Sequence, residues 1–153
     1  MPSSSTARSE KKKPAVRIVL VEDNPGDVYL LEKSLQAREI IYELIRYEDG
    51  EQAMRAVAGE LAPDLILVDL NLPRREGFDV LKAVRQTPRL VGVPVGVFTS
   101  SDAVKDRHRT ALIGVERYIH KPPTLEEFVN EVGRAIVELL AINPGQEASK
   151  DGG

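Results

Sequence analysis

The sequence predicts an α/β protein in which a parallel sheet is covered by helices on both faces, the doubly wound arrangement. Five short apolar segments alternate along the chain with five segments whose apolar residues have helical spacing. The central apolar segments, such as "LILV" before Asp69, do not alternate with polar residues, which indicates strands buried on both faces. The 153 residues suit one domain with one core.

The first strand and helix are predicted at residues 16–23 and 24–36. The strand "VRIVLVED" is an apolar run that ends in two acids. Asn24 can cap the helix, Pro25 suits its first turn, and Asp27 favours its positive N-terminal end. The apolar residues that share one face of this helix are Val28, Leu31 and Leu35.

The other strands are predicted at residues 40–47, 64–70, 93–100 and 116–120, and the other helices at 50–59, 77–86, 102–114 and 124–141. Gly59 ends the second helix, and the third ends before Pro88. Gly96 lies inside the fourth strand and is expected to weaken it. The fourth helix is only weakly amphipathic.

The last helix has the clearest signals. Thr124 and Glu127 form a capping box at its start. The apolar stripe predicted to be buried consists of Leu125, Phe128, Val132, Ile136 and Leu139.

The two ends of the chain are predicted to be disordered tails, at residues 1–13 and 143–153, around a domain at 14–142. The formal net charge is -3, which gives no basis for binding nucleic acid. The chain has no cysteine, which excludes thiol catalysis and cysteine-ligated metals. No apolar run is long enough for a membrane span and no secretory signal is present, so we expect a cytoplasmic protein without membrane contact.

Polar residues collect where the predicted strands end. The first strand ends in Glu22 and Asp23, the third in Asp69, the fourth in Thr99, and Lys121 follows the fifth. Ligand sites in open α/β sheets lie beyond the carboxyl ends of the strands. We therefore expect these five side chains to form one site.

Three carboxylates at such a site require a proton or a cation, because each close pair costs about 4 kcal/mol at an effective dielectric near 20. Oxygen ligands suit Mg²⁺, and the backbone carbonyl of Asn71 is placed to add one more. Lys121 and Mg²⁺ together can bind phosphate oxygens, with a hydrogen bond from Thr99. Asp69 is then a plausible phosphoryl acceptor. Alternatively, Lys121 is only a salt-bridge partner of Asp69, and both readings can hold.

At these residues the chain resembles the receiver domain of two-component response regulators, over about residues 15–141. The resemblance depends on "LVED" (20–23), "LILVDLNLP" (65–73) with Gly77, "VFTSS" (97–101) and "YIHKPP" (118–123). The segment "EDNPGD" (22–27) and the lack of an output domain look most like the stand-alone regulators associated with bacterial phytochromes. The implied fold is the flavodoxin-like (βα)5 receiver fold with strand order 2-1-3-4-5.

The resemblance also implies roles for individual residues. Asp69 would be the phosphoacceptor, and Lys121 would bind a phosphoryl oxygen. Mg²⁺ would be held by the side chains of Glu22, Asp23 and Asp69 and by the backbone carbonyl of Asn71. Thr99 and Tyr118 would be the switch residues, with Tyr118 outward at rest. Pro122 would follow a cis peptide bond.

The implied function is a single-domain response regulator that accepts a phosphoryl group from a sensor histidine kinase, such as a bacterial phytochrome. It would assist its own phosphorylation and dephosphorylation without being an enzyme. Phosphorylation would change the face formed by helix four, strand five and helix five, and self-association through this face is a reasonable hypothesis.

Two other functions stay open. One is a receiver-like scaffold whose binding to its partner does not depend on phosphorylation. The other is a Mg²⁺-dependent phosphatase with an aspartyl-phosphate intermediate. That chemistry requires a second Asp, two residues after the nucleophile, as general acid, and this chain has Asn71 there.

Overall fold

The computed structural model describes residues 14–142, and the predicted tails at 1–13 and 143–153 lie outside the described residues. These residues form a five-stranded parallel sheet with strand order β2-β1-β3-β4-β5, as predicted. The strands are β1 (Val16–Val21), β2 (Tyr42–Tyr47), β3 (Leu65–Val68), β4 (Val95–Thr99) and β5 (Arg117–His120).

Helices cover both faces of the sheet, which confirms the doubly wound class. They are α1 (Pro25–Ala37), α2 (Gly50–Ala58), α3 (Gly77–Arg85), α4 (Val104–Ile113) and α5 (Leu125–Leu140). A short 3₁₀ turn at Pro88–Leu90, which was not predicted, follows α3. The observed strands and helices are mostly one to three residues shorter than predicted, because their terminal residues lack the regular hydrogen bonds of the interior.

Two apolar cores lie on opposite faces of the sheet, because successive strand residues point to opposite sides. In β1, Val19 and Val21 join the core beneath α2 and α3, whereas Ile18 and Leu20 join the core beneath α1 and α5. We call the second core the α1–α5 cluster. Its buried members are Ile18, Leu20, Leu31, Leu35, Leu65, Leu67, Phe98, Ile119, Phe128, Val132, Ala135, Ile136 and Leu139.

Side-chain caps fix the starts of three helices. The Asn24 side chain accepts hydrogen bonds from the backbone N–H groups of Gly26 and Asp27, as expected for the predicted cap of α1. Asp49 accepts from Gln52 N–H at the start of α2, and Thr124 accepts from Glu127 N–H at the start of α5. Each cap satisfies a donor that the first helical turn leaves free.

The predicted stripe of α5 is right except at its first residue. Phe128, Val132, Ile136 and Leu139 are buried, but the side chain of Leu125 is 63% exposed. Helical spacing therefore predicts burial correctly along the helix but not at its first residue.

Gly96 has a packing role in β4. A Cβ atom at this position would lie 2.9 Å from Leu67 Cδ2 and 3.0 Å from Leu139 Cδ1. The missing side chain lets α5 pack closely on the sheet. The glycine that was expected to weaken the strand therefore permits contacts from β3 and α5.

None of the helices within residues 14–142 combines the length and the apolar character that a membrane span requires.

Candidate functional site

The polar residues that end four strands come together at one edge of the sheet. The Lys121 ammonium lies 2.7 Å from Glu22 Oε1 and 3.1 Å from Asp69 Oδ2. Asp23 follows Glu22 and lies in the same group of acids. The structure brings together Glu22, Asp23, Asp69 and Lys121, four of the five side chains that the sequence predicted to form one site. We call these four residues the acidic pocket.

Backbone hydrogen bonds hold the pocket residues just beyond the strands. Asp69 N–H donates to the carbonyl of Val21 at 3.0 Å, and Lys121 N–H donates to the carbonyl of Thr99 at 2.8 Å. These bonds extend the ladders of the parallel sheet by one residue. The backbone at Asp69 and Lys121 is therefore held by the same kind of hydrogen bond as the strands.

The three acids of the pocket fit a divalent cation. Glu22, Asp23 and Asp69 each offer an oxygen atom, and these atoms all lie within 4.8 Å of one another. An all-oxygen donor set is the kind that hard cations such as Mg²⁺ prefer. Glu22 and Asp69 are buried, whereas Asp23 is exposed. The cation would therefore meet solvent on the Asp23 side.

Glu22 is fully buried, and both of its oxygens have partners. Oε1 accepts from Lys121 Nζ, and Oε2 accepts from Asn24 N–H at 3.1 Å. Burial raises the pKa of the Glu22 carboxyl from 4.5 to about 7, against the opposing effect of the Lys121 hydrogen bond and charge. The negative charge of Asp69 adds to the rise. The pocket therefore holds a carboxyl that titrates near neutral pH.

The Lys121 side chain is only 9% exposed. Burial alone would lower the pKa of its ammonium group, but hydrogen bonds to Asp27 and Glu22 and the charge of Asp69 outweigh that effect and raise it. The group is therefore fixed in its charged form. Its Nζ also lies 4.9 Å from the centre of the Phe98 ring, which closes the apolar side of the site.

Asp27 is a site residue that the sequence reasoning missed. Its Oδ2 lies 2.8 Å from Lys121 Nζ. The sequence pattern explained Asp27 as a favourable charge in the first turn of α1, which is also correct. The signal in the sequence was the position of Asp27. It lies four residues after Asp23, in the first turn of the helix that follows the strand.

The loop after β3 places Asp69. Asn71 N–H donates to Asp69 Oδ1 at 3.2 Å, and Gly77 N–H donates to the carbonyl of Leu70 at 3.1 Å. A Cβ atom on Gly77 would lie 2.1 Å from the Asp69 carbonyl oxygen, so only glycine lets α3 start this close to the site. The role of the Asn71 carbonyl as a metal ligand stays a prediction.

The two predicted switch residues both hydrogen-bond to the backbone of Ser101. Thr99 is fully buried at the end of β4, and its Oγ1 accepts from Ser101 N–H at 3.3 Å. Tyr118 is half-buried, and its hydroxyl donates to the Ser101 carbonyl at 2.8 Å, beneath the Arg107 guanidinium. The structure therefore differs from the outward orientation expected for Tyr118, because this hydrogen bond and the cation–π contact hold the ring against the loop.

The prediction of a cis peptide bond before Pro122 is wrong. All peptide bonds within residues 14–142 are trans. The trans form of a bond before proline is favoured by about 0.5–1 kcal/mol. Lys121 reaches three carboxylates from this form, so its contacts do not require the cis bend.

Residues 18–133 match the family described as the response regulator receiver domain. The chain belongs to this family, as the sequence motifs predicted. Response regulator Rcp1 of Synechocystis sp. is 35% identical over 130 residues, which cover 81% of this chain and 88% of that protein.

Two crystal structures share the fold and about a third of the sequence. The phosphorylated cyanobacterial phytochrome response regulator RcpA gives a TM-score of 0.76 at 32% identity, with 83% of this chain and 95% of that chain covered. The Mn²⁺-bound form of response regulator Rcp1 gives a TM-score of 0.72 at 35% identity, with 77% and 89% covered. The acidic pocket of this chain fits a divalent cation and a phosphoacceptor aspartate.

Proposed function

We propose that this receiver domain accepts a phosphoryl group on Asp69 from the phosphohistidine of a sensor kinase, in a reaction that depends on Mg²⁺. One observation carries the proposal: Asp69 Oδ2 lies 3.1 Å from the Lys121 ammonium, within a group of acids that fits a divalent cation. A carboxylate between two positive charges is suited to accept a group that carries negative oxygens.

The transfer forms one oxygen–phosphorus bond and breaks one nitrogen–phosphorus bond. A carboxylate oxygen of Asp69 attacks phosphorus while the bond from phosphorus to the histidine nitrogen breaks, and the electron pair of that bond stays on the imidazole. Glu22, Asp23, Asp69 and the Asn71 carbonyl would hold Mg²⁺, which would supply positive charge near the phosphoryl oxygens when bound. Lys121 donates a hydrogen bond to one of these oxygens. Hydrolysis by water later restores the carboxylate.

Thr99 and Tyr118 carry the change to the surface in this proposal. The Thr99 hydroxyl lies at the end of β4, the strand beside β3, and moves to bond the new phosphoryl group. The loop through Ser101 links Thr99 to the Tyr118 hydroxyl. A shift of Thr99 would therefore disturb the hydrogen bond that holds Tyr118 and, with it, the start of α4.

The kinase that we propose as donor is a bacterial phytochrome. The support is the similarity to Rcp1 and to RcpA, which is described as a cyanobacterial phytochrome response regulator. The protein would act in the cytoplasm as a phosphoacceptor that assists its own phosphorylation and dephosphorylation, without turning over a separate substrate.

We also propose that the face of α4, β5 and α5 mediates self-association after phosphorylation. Leu112 on α4 is 75% exposed, which gives this face an apolar contact point. Sedimentation with and without a beryllofluoride phosphoryl mimic would test the idea. A dimer is expected with the mimic, and a monomer in both states would contradict the proposal.

The experiment that tests the proposed function is labelling with acetyl phosphate and Mg²⁺, read by intact mass. The protein is expected to gain one phosphoryl group, and Asp69→Asn is expected to gain none. Omission of Mg²⁺ or addition of EDTA should prevent labelling. An unlabelled wild-type protein that is folded and binds Mg²⁺ would contradict the proposal.

Two further measurements separate the proposed function from the two alternatives that the sequence left open. A phosphatase would release phosphate continuously from phosphate esters instead of stopping at one label per chain. A phosphorylation-independent scaffold would bind its partner equally well before and after labelling, which a binding titration with the cognate kinase would detect.

A further inference from the structure

Asp27 lies beside the acidic pocket and contacts its only cationic side chain. Its Oδ2 is 2.8 Å from Lys121 Nζ, which is close to the 2.7 Å between Nζ and Glu22 Oε1 and shorter than the 3.1 Å to Asp69 Oδ2. An ammonium group has three N–H donors, and the three carboxylates accept all of them. Lys121 is therefore held from three sides.

Asp27 differs from the other two partners of Lys121 in what else it can bind. Glu22 and Asp69 belong to the group of oxygens that fits a divalent cation, and Asp27 does not. The two pocket acids would therefore be shared between Lys121 and the cation, and Asp69 would also carry the phosphoryl group. Of the three carboxylates that contact Lys121, only Asp27 is not also needed for the cation or the phosphoryl group.

The chain places Asp27 on a rigid support. The Asn24 side chain accepts from Gly26 N–H at 2.8 Å and from Asp27 N–H at 3.3 Å, which fixes the first turn of α1. Asn24 N–H donates in turn to Glu22 Oε2. Further along α1, Leu31 and Leu35 are buried in the α1–α5 cluster. A side chain on a packed and capped helix can hold its partner within a narrow range of positions.

We propose that Asp27 is a positioning residue that keeps the Lys121 ammonium directed at Asp69 while Glu22 and Asp69 serve the cation and the phosphoryl group. This inference depends on the proposed function, because it gives Asp27 its effect through the phosphoryl contact of Lys121. The side chain of Asp27 is 22% exposed, which shields its contact with Lys121 from full solvation, and Asp27 is not among the three acids that group for a cation.

A purely structural role is the competing explanation, since an acid in the first turn of a helix also stabilises that helix. The two roles differ at Lys121. A helix charge affects the stability of α1 and leaves the lysine ammonium where it is. A positioning residue determines where the ammonium lies, and its loss changes the environment of Nζ.

The test compares Asp27→Asn, Asp27→Glu and a matched control in the full chain. The control is Glu51→Gln, which removes an acid from the first turn of α2 that pairs with Arg75 instead of Lys121. With saturating Mg²⁺ and acetyl phosphate, Asp27→Asn is expected to be labelled about tenfold more slowly, because a displaced group near the reacting atoms costs rate steeply. Asp27→Glu should recover much of the rate, and Glu51→Gln should react at the wild-type rate.

A second measurement needs neither Mg²⁺ nor phosphate. Lysine-selective ¹H–¹⁵N spectra of the metal-free protein should contain a protected Nζ signal, assigned to Lys121 by its loss in Lys121→Met. This signal is expected to shift or disappear in Asp27→Asn and to stay unchanged in Glu51→Gln.

The outcomes distinguish this inference from the proposed function. Slow labelling of Asp27→Asn together with a changed lysine signal supports the positioning role. Labelling at the wild-type rate, or slow labelling with an unchanged lysine signal, overturns it while the proposed function stands. A wild-type protein that takes no label overturns the proposed function itself.

Discussion

The α1–α5 cluster is buried and the acidic pocket is partly buried, but they affect stability in opposite ways. The cluster joins apolar side chains from the sheet and two helices, including the perpendicular rings of Phe98 and Phe128 at 5.7 Å. The pocket places three carboxylates close together. Burial of apolar surface stabilises the fold, whereas crowded like charges destabilise it.

The comparison teaches that this fold separates the residues that stabilise it from those that we propose act in phosphotransfer. Removing an apolar side chain from the cluster should lower stability without changing metal binding. Removing an acid from the pocket should abolish metal binding and raise stability. Such a trade-off between stability and metal binding is expected where a site requires charged groups to lie closer together than the fold favours.

The largest effect is expected in the cluster. Phe128→Ala should lower the free energy of unfolding by about 3–5 kcal/mol, because it removes a buried ring and leaves a cavity. Urea unfolding followed by far-UV circular dichroism measures this, and the slope with urea should stay the same. A loss below about 1 kcal/mol would mean that the helix repacks, and the contrast with the pocket would fail.

The second effect is a pH dependence of the metal-free protein. The pKa of Glu22 rises from 4.5 to about 7 on folding, so its protonated form favours the folded state. This contribution is fully present below about pH 4.5, declines as the pH rises through about 7, and is absent above it. Its full size is about 3 kcal/mol, since one pKa unit corresponds to roughly 1.4 kcal/mol.

Urea unfolding in EDTA between pH 5 and pH 8 would measure this decline. Glu22→Gln is the control, because its profile should lack the part of the decline that Glu22 causes. Parallel profiles for the two proteins would show that Glu22 is not the titrating group.

A smaller effect of opposite sign is expected at Asp69. Asp69→Ala should stabilise the metal-free protein at pH 8 by about 1 kcal/mol, because it removes one of the crowded charges while Lys121 keeps two acceptors. The midpoint of urea unfolding measures the change, and excess Mg²⁺ should stabilise only the wild type. A destabilised variant would show that the Lys121–Asp69 contact outweighs the repulsion.

The smallest effect is expected at Leu112, which is outside both regions. Leu112→Ser should change the free energy of unfolding by no more than about 0.5 kcal/mol, as is usual for exposed positions. The same urea titration provides the measurement. A larger loss would mean that the face of α4 is covered in the protein as it exists in solution.

The sequence predicted the fold class and the acidic pocket, but not Asp27 beside it. Both predictions depend on the regular alternation of strands and helices along the chain. Strands buried on both faces require a parallel sheet, and a parallel sheet brings Glu22, Asp69 and Lys121 to one edge whatever the loops do. Asp27 was missed because its contact depends on where a helix is directed after its cap. A pattern of spacing does not contain that direction.

Spacing also does not contain the burial of Leu125 or the packing role of Gly96. Leu125 has the spacing of a buried residue, but its side chain is 63% exposed. Gly96 reads as a weak point until the side chains of Leu67 and Leu139 are seen to occupy its space. The neighbours that explain Gly96 come from distant parts of the chain.

The exposed position of Asp23 beside two buried acids has a consequence for how the domain responds. An ion that reaches its ligands from the open side can exchange without any opening of the fold. The occupancy of the site would then follow the concentration of the free divalent cation around the protein. Under the proposed chemistry, the domain would respond only when a phosphoryl donor and a supply of the metal are present together.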